Sequence, residues 1–318
     1  MIKVGVIGTG HLGAIHLKLL NESSLYQVIG FHDKDLKRSK DLGTDNLYFK
    51  DSIDLISSVD VVFICSNTPT HYEIAKKCLE NNKHIFVEKP ITSTVEQAKE
   101  LVQLAKDKSL IGQVGHVERF NPAYVSLKEI IDNPKFIECH RLAEFNPRGN
   151  DVSVVLDLMI HDIDIVLSIV KSKIKSVSAN GVCVISDTPD ITNARVEFEN
   201  GCVANFTSSR ISLKNMRKTR FFQNDAYISL DFLEKKSEVV KISNTINNSD
   251  KYAMIIENSK GDKKQIYYNN PEIKITNAIV EEHNSFAYSI KNNSKPVISL
   301  EDGYLALNLA NKIINKIQ

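Results

Sequence analysis

Between Lys3 and Asp33 a short apolar run, a glycine-spaced turn, a helical stretch, a second apolar run and an acid follow one another in register. Lys3 to Ile7 has β character and leads at once into Gly8-Thr-Gly10-His-Leu-Gly13. Ala14 to Leu20 carries apolar residues at helical spacing, and Tyr26 to Phe31 is again a strand-like run. Asp33 stands twenty residues past Gly13. Few folds accept this order. The first strand must turn sharply into a helix that packs back on it, and the second strand must lie parallel to the first. Gly8 permits the turn, Gly10 lets a pyrophosphate approach the backbone, and Gly13 lets the helix lie close on the strand. The helix start offers N–H groups and a positive dipole end. Gly8, Gly10, His11, Leu12 and Gly13 are therefore candidate dinucleotide contacts, and Asp33 a candidate acceptor for a ribose diol. The plainer alternative is a glycine-rich turn in another α/β protein, with Asp33 capping a helix. The acid favours NAD by repelling a 2′-phosphate. Arg38, a few residues on, leaves NADP open.

The 318 residues suffice for two domains and a sizeable core. A net charge of +1 argues against a general nucleic-acid or membrane-surface partner. Cys65, Cys78, Cys139, Cys183 and Cys202 form no metal-ligand spacing, and their odd number suits a reducing compartment. Met1 leads straight into the first strand, which fits no signal peptide, and the apolar runs are too short for a membrane span. A cytoplasmic protein without metal is expected.

Strand and helix patterns alternate to about residue 118. Val59 to Cys65 reads as a strand buried on both faces, His71 to Glu80 as a helix, and His84 to Val87 as a strand. Val95 to Lys106 reads as a helix and Leu110 to Gly115 as a strand. This order predicts a parallel, doubly wound, Rossmann-type sheet over residues 1–118. Residues 119–318 read differently. Phe136 to Phe145 looks like a strand and Asp157 to Val170 like a helix. Further strands are expected at Ala194–Phe198, Cys202–Phe206, Phe221–Phe232, Val239–Ile242 and Lys264–Tyr268, with Asn200-Gly201 as a hairpin signal. Helices at Lys274–Asn292 and Glu301–Ile317 close the chain, and the last could pack back on the first domain. The second domain is thus an α+β unit with a large, open, mostly antiparallel sheet, expected to bind substrate and to assemble copies.

Three segments carry chemistry. Ser66-Asn67-Thr68-Pro-Thr-His71 follows a buried strand, where ligands bind in such sheets. Ser66, Asn67, Thr68 and His71 are candidate cofactor contacts, with Thr70 as a helix N-cap in the plainer reading. Glu88-Lys89-Pro90 ends the next strand and puts a charge at the same crevice. The helix from Asp157 is apolar over most of its circumference, yet Asp157, His161, Asp164 and Ser168 form one stripe. That stripe should face a cleft, a ligand or water. Metal ligation by Asp157 and His161 lacks further ligands. The basic run Arg210, Lys214, Arg217, Lys218 and Arg220 reads equally as a diphosphate grip or a solvated sheet edge.

With these motifs in hand, the chain resembles the Gfo/Idh/MocA family of NAD(P)-dependent oxidoreductases. The resemblance rests on Gly8 to Gly13, Asn67-Thr-Pro-Thr-His71, Glu88-Lys89-Pro90, Asp157-Leu-Met-Ile-His161-Asp162 and Leu300 to Leu307. It implies a catalytic Lys89-Asp157-His161 set, with Glu88 and Lys89 also near the cofactor, and a homodimer or homotetramer. Within the family, Gly115 to Pro122 and Arg217 to Ala226 look most like nucleotide-sugar dehydrogenases of the UDP-N-acetylglucosamine 3-dehydrogenase type. Arg119 and Asn121 then join Asp157 and His161 as candidate substrate contacts. The expected reaction takes a hydride from a secondary hydroxyl of a sugar. A free-sugar or inositol dehydrogenase, or a non-catalytic NAD(P)-binding regulator, are the alternatives.

Overall fold

The structure is a computed structural model that describes residues 1–35, 47–146, 152–244, 254–257 and 259–317. It divides into two compact units: Met1–Val117 with Asn277–Asn308, and Glu118–Thr276 with Leu309–Gln318.

The first unit is built on a parallel sheet. Its elements are β1 (Ile2–Ile7), α1 (His11–Glu22), β2 (Tyr26–His32), α2 (Ser52–Ser58), β3 (Val61–Ile64) and α3 (Thr68–Glu80). β4 (His84–Glu88), α4 (Val95–Asp107) and β5 (Gly112–Gly115) follow. The strand order is β2-β1-β3-β4-β5, all parallel. From β1 the chain goes outward to β2, then returns to the other side of β1 as β3. The order therefore reverses between β1 and β3, which opens a crevice at their carboxyl ends. β3 is apolar throughout because both its faces are covered; Val61 to Ile64 are fully buried. Phe63 of β3 stacks on Phe86 of β4 with ring centroids 4.5 Å apart. α4 starts from a capping box in which Thr94 and Gln97 bond reciprocally.

Two closing helices are α7 (Ala278–Lys291) and α8 (Leu300–Ile314). α7 begins four residues later than its apolar pattern predicts, because the Asn277 side chain caps it by accepting from Ile279 N. Phe286 and Ala287 of α7 lie in the same core as Phe63 and Phe86.

The second unit holds a nine-stranded sheet. Its strands are β6 (Phe136–Leu142), β7 (Ile174–Val182), β8 (Ile191–Phe198), β9 (Val203–Ser209) and β10 (Met216–Phe222). β11 (Ala226–Asp231), β12 (Lys236–Ser243), β13 (Met254–Glu257) and β14 (Lys263–Tyr268) complete it. The order is β13-β14-β12-β11-β10-β6-β9-β8-β7, antiparallel except for the parallel pair β6 and β9. The Asn200-Gly201 turn joins β8 to β9, with Gly201 at φ +82°. The single strand expected over Phe221–Phe232 is instead a hairpin. Gln223, Asn224 and Asp225 turn the chain, and Gln223 Nε2 donates to Asp225 Oδ1 at 2.9 Å. Strict alternation in β8 to β11 buries Ala194, Val196, Phe206, Phe221 and Ile228 on one face.

The segment expected as one helix from Asp157 has two parts. Val155–Met159 is a π-helical turn, and α6 (Ile160–Ile169) continues it as a regular helix. Among the described residues no helix is long and apolar enough to cross a membrane.

Candidate active site

The glycine turn of the first unit has room only for glycine. Gly8 sits at φ +90°, and a Cβ there would lie 2.5 Å from the Ser66 backbone nitrogen. A Cβ on Gly13 would lie 1.9 Å from Gly8 O. α1 starts without a side-chain cap and without an acid in its first turn, and His11 and Leu12 are exposed there. Its positive end is therefore uncompensated by side chains. Asp33 braces the turn: Oδ2 accepts from Thr9 N at 2.6 Å and Thr9 Oγ1 at 3.0 Å, and Oδ1 accepts from Asp35 N at 2.8 Å. These residues fit a nicotinamide dinucleotide. Arg38 lies outside the described residues.

Beside the turn, the end of β3 leads into α3. Asn67, not Thr70, stands at the N-cap position. Thr70 sits inside the first turn and donates back to Asn67 O at 2.8 Å. Ser66 Oγ pairs with Thr70 Oγ1 at 2.8 Å. Ser66 and Thr68 are half-buried and Asn67 is exposed. His71 is fully buried, with Nδ1 2.9 Å from Pro90 O and Nε2 2.8 Å from Ser66 O. Its ring nitrogens are thus occupied by backbone, and it ties the ends of β3 and β4 together rather than meeting a ligand. Burial lowers its pKa, against the raising effect of those carbonyls and Glu88.

Glu88 is also a support. Its Oε1 accepts from His16 Nε2 at 2.9 Å and its Oε2 from the Lys89 backbone N at 3.1 Å. Lys89 follows, half-buried, at the carboxyl end of β4.

In the second unit, the π-turn separates what a regular helix would align. Asp157 lies within it, exposed, and His161 lies half-buried in the first turn of α6. π-turns of this kind recur at functional sites because the extra residue re-aims one turn of side chains. Of the rest of the expected stripe, Asp164 is buried and Ser168 half-buried, and both are bonded within the fold. Arg119 forks onto Asp164, Nε to Oδ2 and Nη2 to Oδ1, both at 2.7 Å. Ser168 Oγ donates to Ile165 O at 2.6 Å and pairs with the Tyr124 hydroxyl at 2.9 Å.

Two candidate substrate contacts are redirected by the same geometry. Arg119 is spent on Asp164. Asn121 donates to Glu118 Oε2 and Phe232 O, and caps a short helix at Ala123 N. Both are buried anchors.

Arg141 of β6 is a further buried anchor that the sequence hid. It forks onto Asp162 at 2.9 and 3.0 Å and donates to Glu118 Oε1 at 3.0 Å. Burial opposes its charge, but Asp162 and Glu118 outweigh burial and push its pKa up. The signal was an arginine at an inward position of β6, alternating with Ile137 and Cys139.

The basic run splits by strand alternation. Lys218 pairs with Asp231 at 3.2 Å and Arg220 with Glu138 at 3.8 Å on one face of β10. Arg217, half-exposed on the other, stands opposite Arg141 and 3.7 Å from Glu118. Among the described residues no group of three or more His, Cys, Asp or Glu side chains is placed to hold a metal.

Comparison with known proteins agrees with this geometry. Residues 2–116 match the oxidoreductase family with an NAD-binding Rossmann fold, GFO_IDH_MocA, and residues 127–227 match its C-terminal domain. The chain is 34% identical over 235 residues to the UDP-N-acetylglucosamine 3-dehydrogenase of Acidithiobacillus ferrooxidans, covering 73% of this chain and 74% of that one. It is 26% identical to the myo-inositol 2-dehydrogenase of Thermotoga maritima, over 96% of this chain and 93% of that one. The solved structure of the Acidithiobacillus enzyme superposes with a TM-score of 0.88, at 28% identity, over 99% of this chain and 97% of that one.

Proposed function

The chain belongs to the Gfo/Idh/MocA family of NAD-binding oxidoreductases, and we propose that it oxidises a secondary hydroxyl of a UDP-linked sugar. The family relation makes it a dehydrogenase with NAD as cofactor. The nucleotide-sugar reading is supported by the 34% identity to an enzyme named for UDP-N-acetylglucosamine. The observation that carries the site assignment is the sorting of polar residues around α6. Asp162 and Asp164 are buried and paired with arginines, whereas Asp157 is exposed and His161 half-buried.

The glycine turn, the open first turn of α1 and Asp33 hold the dinucleotide, with Ser66, Asn67 and Thr68 beside it. When bound, the nicotinamide supplies the hydride acceptor. His161 takes the hydroxyl proton at an imidazole nitrogen, the commonest side-chain general base. The Lys89 ammonium donates to the same oxygen and stabilises its developing negative charge. Asp157 orients the sugar hydroxyls. Arg217 is assigned to the diphosphate. The open face of the nine-stranded sheet is assigned to contacts between copies, as dimer or tetramer, and the protein to the cytoplasm.

The test is direct. Purified protein is incubated with NAD and with UDP-N-acetylglucosamine, other UDP-sugars, free N-acetylglucosamine and myo-inositol, and the absorbance of reduced nicotinamide is followed. A UDP-sugar should give the highest kcat/KM. Higher kcat/KM with myo-inositol or a free sugar would overturn the nucleotide-sugar reading. In K89M and H161N, kcat should fall by roughly 10²–10⁴, and wild-type turnover in either variant would remove that residue from the chemistry.

A further inference from the structure

Behind Lys89 the first unit buries three polar side chains in a row that the chemistry above does not use. His16 lies on α1, one turn past Gly13, and is 1% exposed. Its ring sits among aromatic faces, 5.3 Å from Phe86 and 5.9 Å from Phe63 between centroids. Nε2 is 2.9 Å from Glu88 Oε1 and Nδ1 is 2.7 Å from His283 Nε2 on α7. A carboxylate has only lone pairs, so His16 Nε2–H is the donor to Glu88. The contact between the two rings holds a single proton, because two facing N–H groups or two facing lone pairs would repel. His283 is itself anchored, since its backbone carbonyl accepts from the Tyr26 hydroxyl at 2.8 Å.

The far side of Glu88 is equally constrained. Oε2 accepts from the Lys89 N–H, and the carboxylate lies so close to Gly115 that a Cβ there would come within 2.6 Å of it. Glu88 therefore has one position, fixed by His16 on one oxygen and read by the Lys89 peptide on the other. A leucine or phenylalanine would fill the space among Phe63 and Phe86 without the cost of burying polar groups. The polar chain is accounted for by what it aims.

We propose that His16 is a positioning residue for Lys89: through Glu88 it fixes the Lys89 peptide, and through His283 it ties that peptide to α7. The proposal rests on the role given to Lys89 above. It links the helix that meets the cofactor diphosphate to the backbone that carries the lysine.

The experiment compares wild-type protein with H16L, which keeps bulk and removes the donor, and H16Q, whose amide can restore a donor to Glu88. Amide hydrogen exchange is read at Lys89, with Val87 of β4 as internal control, and kcat and KM are read with NAD and the best sugar. In H16L the Lys89 amide should exchange about tenfold faster or more, with Val87 unchanged. Its kcat should fall roughly ten- to hundredfold, the range seen for partners behind a first layer of ligands, with KM for NAD little changed. H16Q should recover most of both. Unchanged Lys89 exchange in H16L, unchanged kcat, or an H16Q variant as damaged as H16L would overturn the proposal. If H16L does not fold, H283L carries the same readouts, because it removes the ring that fixes Nδ1 and leaves His16 in place. The exchange arm needs no substrate. Wild-type protein that oxidises no sugar therefore defeats the functional reading, while exchange alone still decides whether His16 governs the Lys89 peptide.

Discussion

Arg119 lays its guanidinium along the Asp164 carboxylate, with two bonds of 2.7 Å to separate oxygens. Arg141 does the same to Asp162. The two acids lie on the helical turn that begins at His161, so α6 cannot roll or slide without leaving a buried charge unpaired. Removing one partner of such a pair costs about 3–5 kcal/mol, mostly the penalty on the charge left behind. R119A should lose stability of that order in urea unfolding at neutral pH. R119K should recover only part, since an ammonium cannot fork. A loss in R119A below about 1 kcal/mol, the value typical of a surface pair, would mean that the fork does not anchor the helix.

Acid should loosen the first unit before it reaches the carboxylates. Burial and neighbouring His16 push His283 down to about 3, and burial lowers His71. Both bind protons more readily when unfolded, where histidine titrates near 6.5. The stability they permit is present above about pH 6.5 and falls as pH drops below it, by up to about 1.4 kcal/mol per pH unit for each group. Tm should decline between about pH 6.5 and pH 5, a window set by the unfolded value. H283Q, which cannot titrate, should flatten the decline. A wild-type profile that is level across that window, or a slope identical in H283Q, would contradict the assignment.

Gly13 offers a test of the cofactor cradle. Alanine there would put its Cβ 1.9 Å from Gly8 O, a backbone atom that can retreat only by moving the turn. Overpacking of this kind costs about 1–3 kcal/mol, so G13A should weaken NAD binding by roughly five- to 150-fold. Calorimetric titration reads this directly. An unchanged Kd would place the diphosphate elsewhere.

The Rossmann unit was legible because its signals are local. Gly8 to Gly13, the buried run at β3 and the Glu88-Lys89-Pro90 end of β4 each declare their place without knowledge of a partner. The helix from Asp157 was legible as buried and polar-striped, but not as to which acids pair with arginines. Asp164 and Asp157 look alike in sequence. Only the fold shows that Arg119 reaches Asp164 across 45 residues, and that Asp157 lies exposed in a π-turn. The partners of Arg119 and Asn121 were hidden for the same reason, since Asp164 and Phe232 lie far along the chain. His16 was hidden inside an otherwise regular amphipathic helix, and its partner His283 lies 267 residues away. The hairpin at Gln223–Asp225 was lost because apolar residues flank it closely on both sides.

Arg217 separates a nucleotide-sugar enzyme from a free-sugar one. Its neighbours Lys218 and Arg220 are paired with Asp231 and Glu138 on one face of β10. Arg217 turns to the other face, opposite Arg141, with half its side chain exposed and Glu118 only at 3.7 Å. A guanidinium so placed can exchange a long ion pair for a phosphate fork. Hydrogen bonds to charged groups are worth about 1.5–3 kcal/mol, so R217Q should raise KM for the UDP-sugar by roughly ten- to 150-fold. Activity towards the free sugar and affinity for NAD should stay near wild type, because neither uses this arginine. Parallel kinetics on the UDP-linked and free forms of the same sugar decide the matter. Equal changes in both would assign Arg217 to the fold, and no change in either would send the diphosphate to another part of the second unit.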